Sequence, residues 1–302
     1  MLKKTLKALV PSFALQAIWA WRTYDSWFAK RLLRDRFEQP RCKRLYDRLN
    51  AKLPPNEQIL PPDVRMQIIP ELRPAYELYA YGDMRNVVEM RGFIHYAKGC
   101  KCLVDIGALY GDFSLVFCAL TGGSAHAVDP SPEANAVLAK LIAANPAVRI
   151  HPHPIALGAE PGTLEMAYEW IHCVALAGAK SESRTVSVTQ QTMDRFVADL
   201  PETPDVMKID AEGAELDILK GGRDYFTRHR PRIFMEVHPT YLQRRNQSVA
   251  ELVALLTEYG YTIYHSDGVP VRDPVRVLSK DEGFLVHRVI CDAGKPCGRL
   301  AR

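Results

Sequence analysis

The ten residues Cys102-Leu103-Val104-Asp105-Ile106-Gly107-Ala108-Leu109-Tyr110-Gly111 set the strongest limit on what this chain can fold into. A short apolar run carries an acid next to its end, and two glycines four apart then open a segment that reads as a helix from Asp112 to Ala119. Strand, tight turn and helix N-terminus in that order let backbone amides approach a nucleotide-like ligand without interference from a Cβ. The spacing is Asp-x-Gly-x-x-x-Gly, not the Gly-x-Gly-x-x-Gly of dinucleotide sites. An acid at a strand tip opposes a pyrophosphate, whereas it suits the cationic amino-acid end of S-adenosylmethionine.

A second acid follows the same logic. Ala125-His126-Ala127-Val128 reads as the next parallel strand, and Asp129-Pro130 closes it, so the Asp129 carboxylate falls on the same sheet edge and can accept ribose hydroxyls. Ser131 to Asn145 then reads as a helix with Ser131 as its cap and Ala134, Val137, Leu138, Leu141 and Ile142 on one face. Two acid-tipped strands with helices between them predict an α/β fold with a nucleoside pocket at the carboxyl edge.

With 302 residues, 47% hydrophobic and 25% charged, the chain can bury a core of about 200 residues and carry an extension as well. Its formal charge of +4 is concentrated at the front, where residues 1–50 hold twelve Lys and Arg against four Asp and Glu. The boundaries expected are 1–84 for a basic, Trp-containing helical extension and Pro-rich linker, 85–290 for the α/β domain, and 291–302 for a flexible tail. The apolar run from Ala8 to Trp21, broken by Pro11, is shorter than the roughly 20 residues needed to cross a bilayer. Two uses remain for it: packing on the body or on a partner chain, or peripheral contact with an anionic membrane surface through residues 1–50, with Trp19, Trp21 and Trp27 at headgroup depth. Seven irregularly spaced cysteines point to reduced thiols and a cytoplasmic body, peripheral membrane association being the second expectation.

Farther along, Leu164 to Trp170 and Thr185 to Val188 read as strands of an insert over the sheet edge. Asp205 to Ile209 is the fourth central strand, and Asp210 and Glu212 emerge beyond its end before Gly213 turns into a helix from Ala214. Arg232 to Val237 is the fifth, with Glu236 and His238 on one face by alternation. Asp210, Glu212, Glu236 and His238 therefore converge on one edge, as proton acceptors for a hydroxyl or, less favoured, as ligands of a divalent metal. His238 has the ordinary pKa best suited to a base near neutrality, and Asp210 has the best-supported position. Ser248 caps a helix through Tyr259, and Tyr261 to His265 and Gly283 to Arg288 close the sheet across a Pro/Gly loop.

Five segments together carry a resemblance. Val104-Asp105-Ile106-Gly107-Ala108, Asp129-Pro130, Ile155-Ala156-Leu157-Gly158, Met207-Lys208-Ile209-Asp210-Ala211-Glu212-Gly213-Ala214-Glu215 and Glu236-Val237-His238 look like the FkbM family of S-adenosylmethionine-dependent methyltransferases. The resemblance implies a class I, Rossmann-like, mostly parallel seven-stranded sheet with helices on both faces. It also implies S-adenosylmethionine as cofactor, with contacts at Asp105, Gly107, Ala108, Gly111, Asp129, Pro130, Ala156 and Leu157. The acceptor it implies is a hydroxyl on a sugar, glycan, glycolipid or polyketide-like molecule. Leu109 stands where the family often has Asn, and Asp129 replaces the commoner Glu. Two rival readings are nucleic-acid methylation, disfavoured because no Asn/Asp-Pro-Pro-aromatic motif is present, and a catalytically silent membrane-associated binding module. Oligomeric state is not legible at this level.

Overall fold

A computed structural model describes residues 65–76, 84–169, 172–175, 185–265, 270–279 and 287–294. The basic front with its tryptophans, the membrane contact expected of residues 1–50 and the last eight residues lie outside the described residues.

A short 3-10 turn, Pro70–Leu72, precedes helix α1, Met84–Ala97. Strand β1, Cys102–Ile106, is buried at every position, as expected of a central parallel strand covered on both faces. Helix α2, Asp112–Thr121, begins after Gly111 and stops at Gly122, which takes the left-handed conformation that ends a helix without a Cβ penalty. Next come β2, Ser124–Val128; α3, Pro132–Ala144; and β3, Arg149–His153. The Ser131 hydroxyl caps α3 by accepting from the Ala134 N–H at 3.1 Å.

Strands β4, Ala156–Gly158; β5, Gly162–Glu169; β6, His172–Ala175; and β7, Thr185–Thr192, form a separate four-stranded sheet in the order β4-β7-β5-β6. The chain returns through α4, Met193–Ala198; β8, Val206–Ile209; α5, Glu215–Lys220; α6, Arg223–His229; and β9, Arg232–Val237. It closes with α7, Pro239–Arg244; α8, Val249–Glu258; β10, Thr262–His265; α9, Pro274–Leu278; and β11, His287–Asp292. At α8 the capping box is complete, with Ser248 and Glu251 each bonding the other's backbone N–H.

The main sheet has seven strands in the order β10-β11-β9-β8-β1-β2-β3. Only β11 runs antiparallel to its neighbours. Strand order reverses at β1, which pairs in parallel with β2 on one side and β8 on the other, and in open α/β sheets ligands bind beyond the carboxyl ends of the strands at such a switch point. One core cluster on one face joins Ile106, Ile209 and Val237 to Leu252 and Leu256 of α8, and a second on the other face joins Leu103 and Val206 to Phe93 of α1 and Leu115 of α2. The expected α/β sheet with helices on both faces is present.

Three features differ from the sequence expectations. β11 runs through Asp292, so Cys291, fully buried, belongs to a sheet strand and not to a tail. Its apolar side chains meet β9 and β10 on either side, a pairing distant in sequence. The stretch expected to be a Pro/Gly loop holds α9, whose start is capped by Asp273 accepting from the Arg276 N–H. Among the described residues Cys100 is disulfide-bonded, whereas Cys102, Cys118 and Cys291 are free and buried, so the expected reduced thiols hold for those three and not for Cys100. Among the described residues no helix is long and apolar enough to cross a membrane.

Candidate functional site

The turn after β1 places three residues in the left-handed region within five positions: Gly107 at φ 73°, Leu109 at φ 48° and Gly111 at φ 82°. Gly107 is required by close approach, since a Cβ there would sit 1.8 Å from the Asp210 carbonyl oxygen. The Gly107 and Ala108 N–H groups donate to the Val128 carbonyl, at 2.9 and 3.2 Å. The loop is therefore held between the ends of β2 and β8.

Asp105 lies in β1 with 1% exposure. Its Oδ2 accepts from Ser114 Oγ at 2.7 Å, and its Oδ1 is buried without a partner among the described residues. Burial pushes its carboxyl up to about 6, against the lowering effects of Lys208 and Ser114. Asp129 ties the two acid-tipped strands together: Oδ2 accepts from the Leu109 N–H at 2.8 Å and Oδ1 from the Ser131 N–H at 2.9 Å. A ribose would share these oxygens through their second lone pairs. Pro130 follows at the edge, half-buried. Ala156 and Leu157 both lie in β4 with their side chains packed into core clusters, so only their backbone groups remain for a ligand.

Beyond β8 the chain turns through Glu212 at φ 48° and Gly213 at φ 96°. This turn brings the acids to His238, which follows β9. His238 Nδ1 lies 2.6 Å from Glu215 Oε1, and Nε2 lies 3.7 Å from Asp210 Oδ1 and 3.5 Å from Glu212 Oε2. Glu215 is fully buried at the start of α5 and also accepts from the Gly213 N–H at 3.1 Å. Burial pulls the imidazole pKa down, but the Glu215 hydrogen bond and charge, with Asp210 and Glu212, outweigh it and raise His238 to about 9. His238 therefore carries a proton at neutral pH. The neutral base suggested by its ordinary pKa is not what the fold makes of it.

Glu236 occupies a different setting. Its Oε1 accepts from Arg288 Nε at 3.0 Å, and the same nitrogen lies 2.7 Å from Glu89 Oε2 of α1. Burial raises the Glu89 carboxyl well above its usual range, while Glu236 is held low despite its burial by Arg288 and Lys208. Glu236 is thus a stabilised anion and a weak proton acceptor. Lys208 Nζ, also buried, sits 3.0 Å from Asp210 Oδ2 and 4.7 Å from the centre of the Phe113 ring. Asp210 and Glu212 have side chains 28% and 24% exposed, more than Glu236 at 11% or His238 at 6%. Asp210, Glu236 and His238 also offer atoms within 4.8 Å of one another, the spacing of a metal-binding group.

A cavity adjoins this rim between α1, α2 and strands β8, β9 and β11, with Lys208, Glu236 and Arg288 in its wall. The expected convergence of Asp210, Glu212 and His238 is found, with Glu236 at its margin. Sequence reasoning did not assign roles to Glu215, Arg288 and Ser114. The pairing of β9 with β11, which sets Glu236 opposite Arg288, leaves no local trace in the chain.

A methyltransferase FkbM from Methylobacillus flagellatus KT is similar in structure at 17% identity and a TM-score of 0.42, over 72% of this chain and 52% of that one. The chain thus spans about half the length of that protein. A ribosomal protein L11 methylase from Lactobacillus delbrueckii subsp. bulgaricus is similar at 14% identity and a TM-score of 0.41, over 80% of this chain and 93% of that one. Aeropyrum pernix fibrillarin with natively bound S-adenosyl-L-methionine is similar at 12% identity and a TM-score of 0.36, over 65% and 67% of the two chains. Among curated protein sequences, none matches. The methyltransferase FkbM domain matches residues 105–263, more than half of the chain, from the acid of β1 to the middle of β10, and on that match the chain belongs to the FkbM family of methyltransferases.

Proposed function

We propose that this protein transfers a methyl group from S-adenosylmethionine to a hydroxyl of a sugar, glycan, glycolipid or polyketide-like acceptor. The observation that carries this reading is the pairing of two partly exposed carboxylates, Asp210 and Glu212, with a protonated His238 beside the loop from Gly107 to Gly111.

The residues present fit the cofactor. A buried acceptor without a donor, Asp105 Oδ1, suits the ammonium of its amino-acid end, and Asp129 suits the ribose. When bound, the cofactor supplies a methyl carbon on a sulfonium, with a neutral thioether as leaving group. The protein's part is positioning and proton removal. An alcohol keeps its proton at neutral pH, so one of the two exposed carboxylates takes it as the acceptor oxygen forms its bond to carbon. The Asp210 and Glu212 anions are oriented by His238, which is itself fixed through Nδ1 by Glu215. Lys208 and Arg288 balance the remaining negative charge of the rim.

Transfer of label from methyl-labelled S-adenosylmethionine into lipid, glycan, protein and nucleic-acid fractions tests the acceptor class. Label confined to nucleic acid would overturn the reading. With an acceptor in hand, Asp210→Asn and Glu212→Gln should lower kcat with cofactor affinity kept. Unchanged turnover in both would remove these residues from the reaction.

A further inference from the structure

Three histidines stand together on β2 and the edge strand β3, apart from the strands that carry the acidic rim. His126 of β2 lies directly opposite His151 of β3 in the parallel register, and His151 and His153, two apart in β3, project from the same face. Phe196 of α4 covers that face, edge-on to His153 at 4.9 Å between ring centroids and to His126 at 6.5 Å.

The three rings crowd one point. His126 Nδ1 lies 3.0 Å from His153 Nε2, and the His151 ring stacks beside His126 with centroids 5.1 Å apart. Two neutral ring nitrogens that close share one proton, so one of them aims a bare lone pair at the other. His126 is 3% exposed, and its remaining nitrogen, Nε2, is buried with no partner among the described residues. Burying an imidazole with one nitrogen unpaired is costly, and a core packed for stability alone would place an apolar side chain here.

A metal ion gives the arrangement a purpose. Tetrahedral zinc, with Zn–N bonds of about 2.0–2.1 Å, holds two ligand nitrogens about 3.3 Å apart. The His126–His153 pair therefore opens by only about 0.3 Å when it exchanges its shared proton for the ion. His151 is exposed, so its ring can turn about its side-chain torsions to bring a nitrogen to the same point. Imidazole donors select zinc, copper or nickel over magnesium, calcium or manganese, which prefer oxygen.

We propose that His126, His151 and His153 bind a divalent transition metal, zinc in the first instance, that clamps the edge strand β3 to β2. Three protein ligands leave the fourth position to water. The His153 carbonyl accepts from the Asp129 N–H at 3.2 Å, so the clamp also holds the strand end from which Asp129 emerges. The ion takes no part in methyl transfer, and its removal lowers stability without stopping turnover.

The test uses the full chain, stripped of metal by a chelator and dialysed. Zn²⁺ is titrated by calorimetry, and melting is followed with and without Zn²⁺, in native protein, His151→Gln, His153→Gln and His238→Gln. Expected is a Zn²⁺ site in native protein and in His238→Gln, weakened by about tenfold or more in both His151→Gln and His153→Gln. Zn²⁺ should raise the melting temperature of native protein and not that of His153→Gln. His151→Gln replaces an exposed side chain and should keep the metal-free melting temperature of native protein, so that its lost affinity is not misfolding. No Zn²⁺ binding by native protein overturns the proposal, as does affinity unchanged in either His151→Gln or His153→Gln. Affinity lost in His238→Gln and kept in the other two assigns the ion to the acidic rim and overturns it as well.

Discussion

The backbone of Gly107 lies against the carbonyl of Asp210 so closely that a single methyl group at position 107 would stand 1.8 Å from the Asp210 oxygen. The Asp210 N–H in turn donates to the Ile106 carbonyl at 3.0 Å. The loop expected to seat the cofactor and the acid expected to face the acceptor are therefore one packed unit. Gly107→Ala should cost roughly 2–5 kcal/mol, from overpacking and from a left-handed conformation imposed on an L residue. Urea denaturation measures this, and a loss below about 1 kcal/mol would show that the two loops can separate.

Leu109 carries the opposite prediction. At φ 48° it pays for a conformation that Asn adopts with little strain. Its side chain is half-buried, and its N–H is committed to Asp129. Leu109→Asn should stabilise the fold by about 1 kcal/mol or less, after the lost apolar contact is set against the relieved strain. A fall in melting temperature would show that packing of Leu109 outweighs its backbone strain.

His238 makes stability depend on pH. Its pKa rises from the ordinary 6.5 to about 9 in the folded state, so its contribution is complete below about pH 6.5 and is lost as pH rises through about 9. The shift corresponds to an upper limit of about 3 kcal/mol. Chemical denaturation at pH 6 and pH 9.5 should show a difference of that sign in the native protein, and a smaller one in His238→Gln. Equal differences in the two proteins would place the proton elsewhere.

Metal removal offers a fourth check. Lys208 and Arg288 already sit against Asp210 and Glu236, two of the three residues of the rim that could hold a divalent ion. Turnover should therefore survive EDTA. Activity lost to the chelator and restored by Mn²⁺ would instead assign Asp210, Glu236 and His238 as ligands.

The parts of the fold legible in the sequence are those written over short distances. The glycine spacing after β1, the Ser131 cap and the Ser248-Glu251 capping box each depend on neighbours within a few residues, and each is found in place. Asp210 and Glu212 are legible for the same reason, since a strand end and a glycine turn fix where they emerge. The ionisation of His238 is not, because it depends on Glu215 from the helix after another strand. Nor is the fate of Glu236, whose partners come from α1 and β11, at the two ends of the described domain. Alternation places a side chain on a face, but it does not say which cation waits there.

β11 lends the rim its guanidinium, and it is the last strand in chain order to join the sheet. During synthesis from the N-terminus, β1, β8 and β9 emerge before the group that neutralises Glu236 and Glu89. Until β11 inserts, two acids face each other across an unfinished edge, so a nascent chain has the outline of the site before it has a working one.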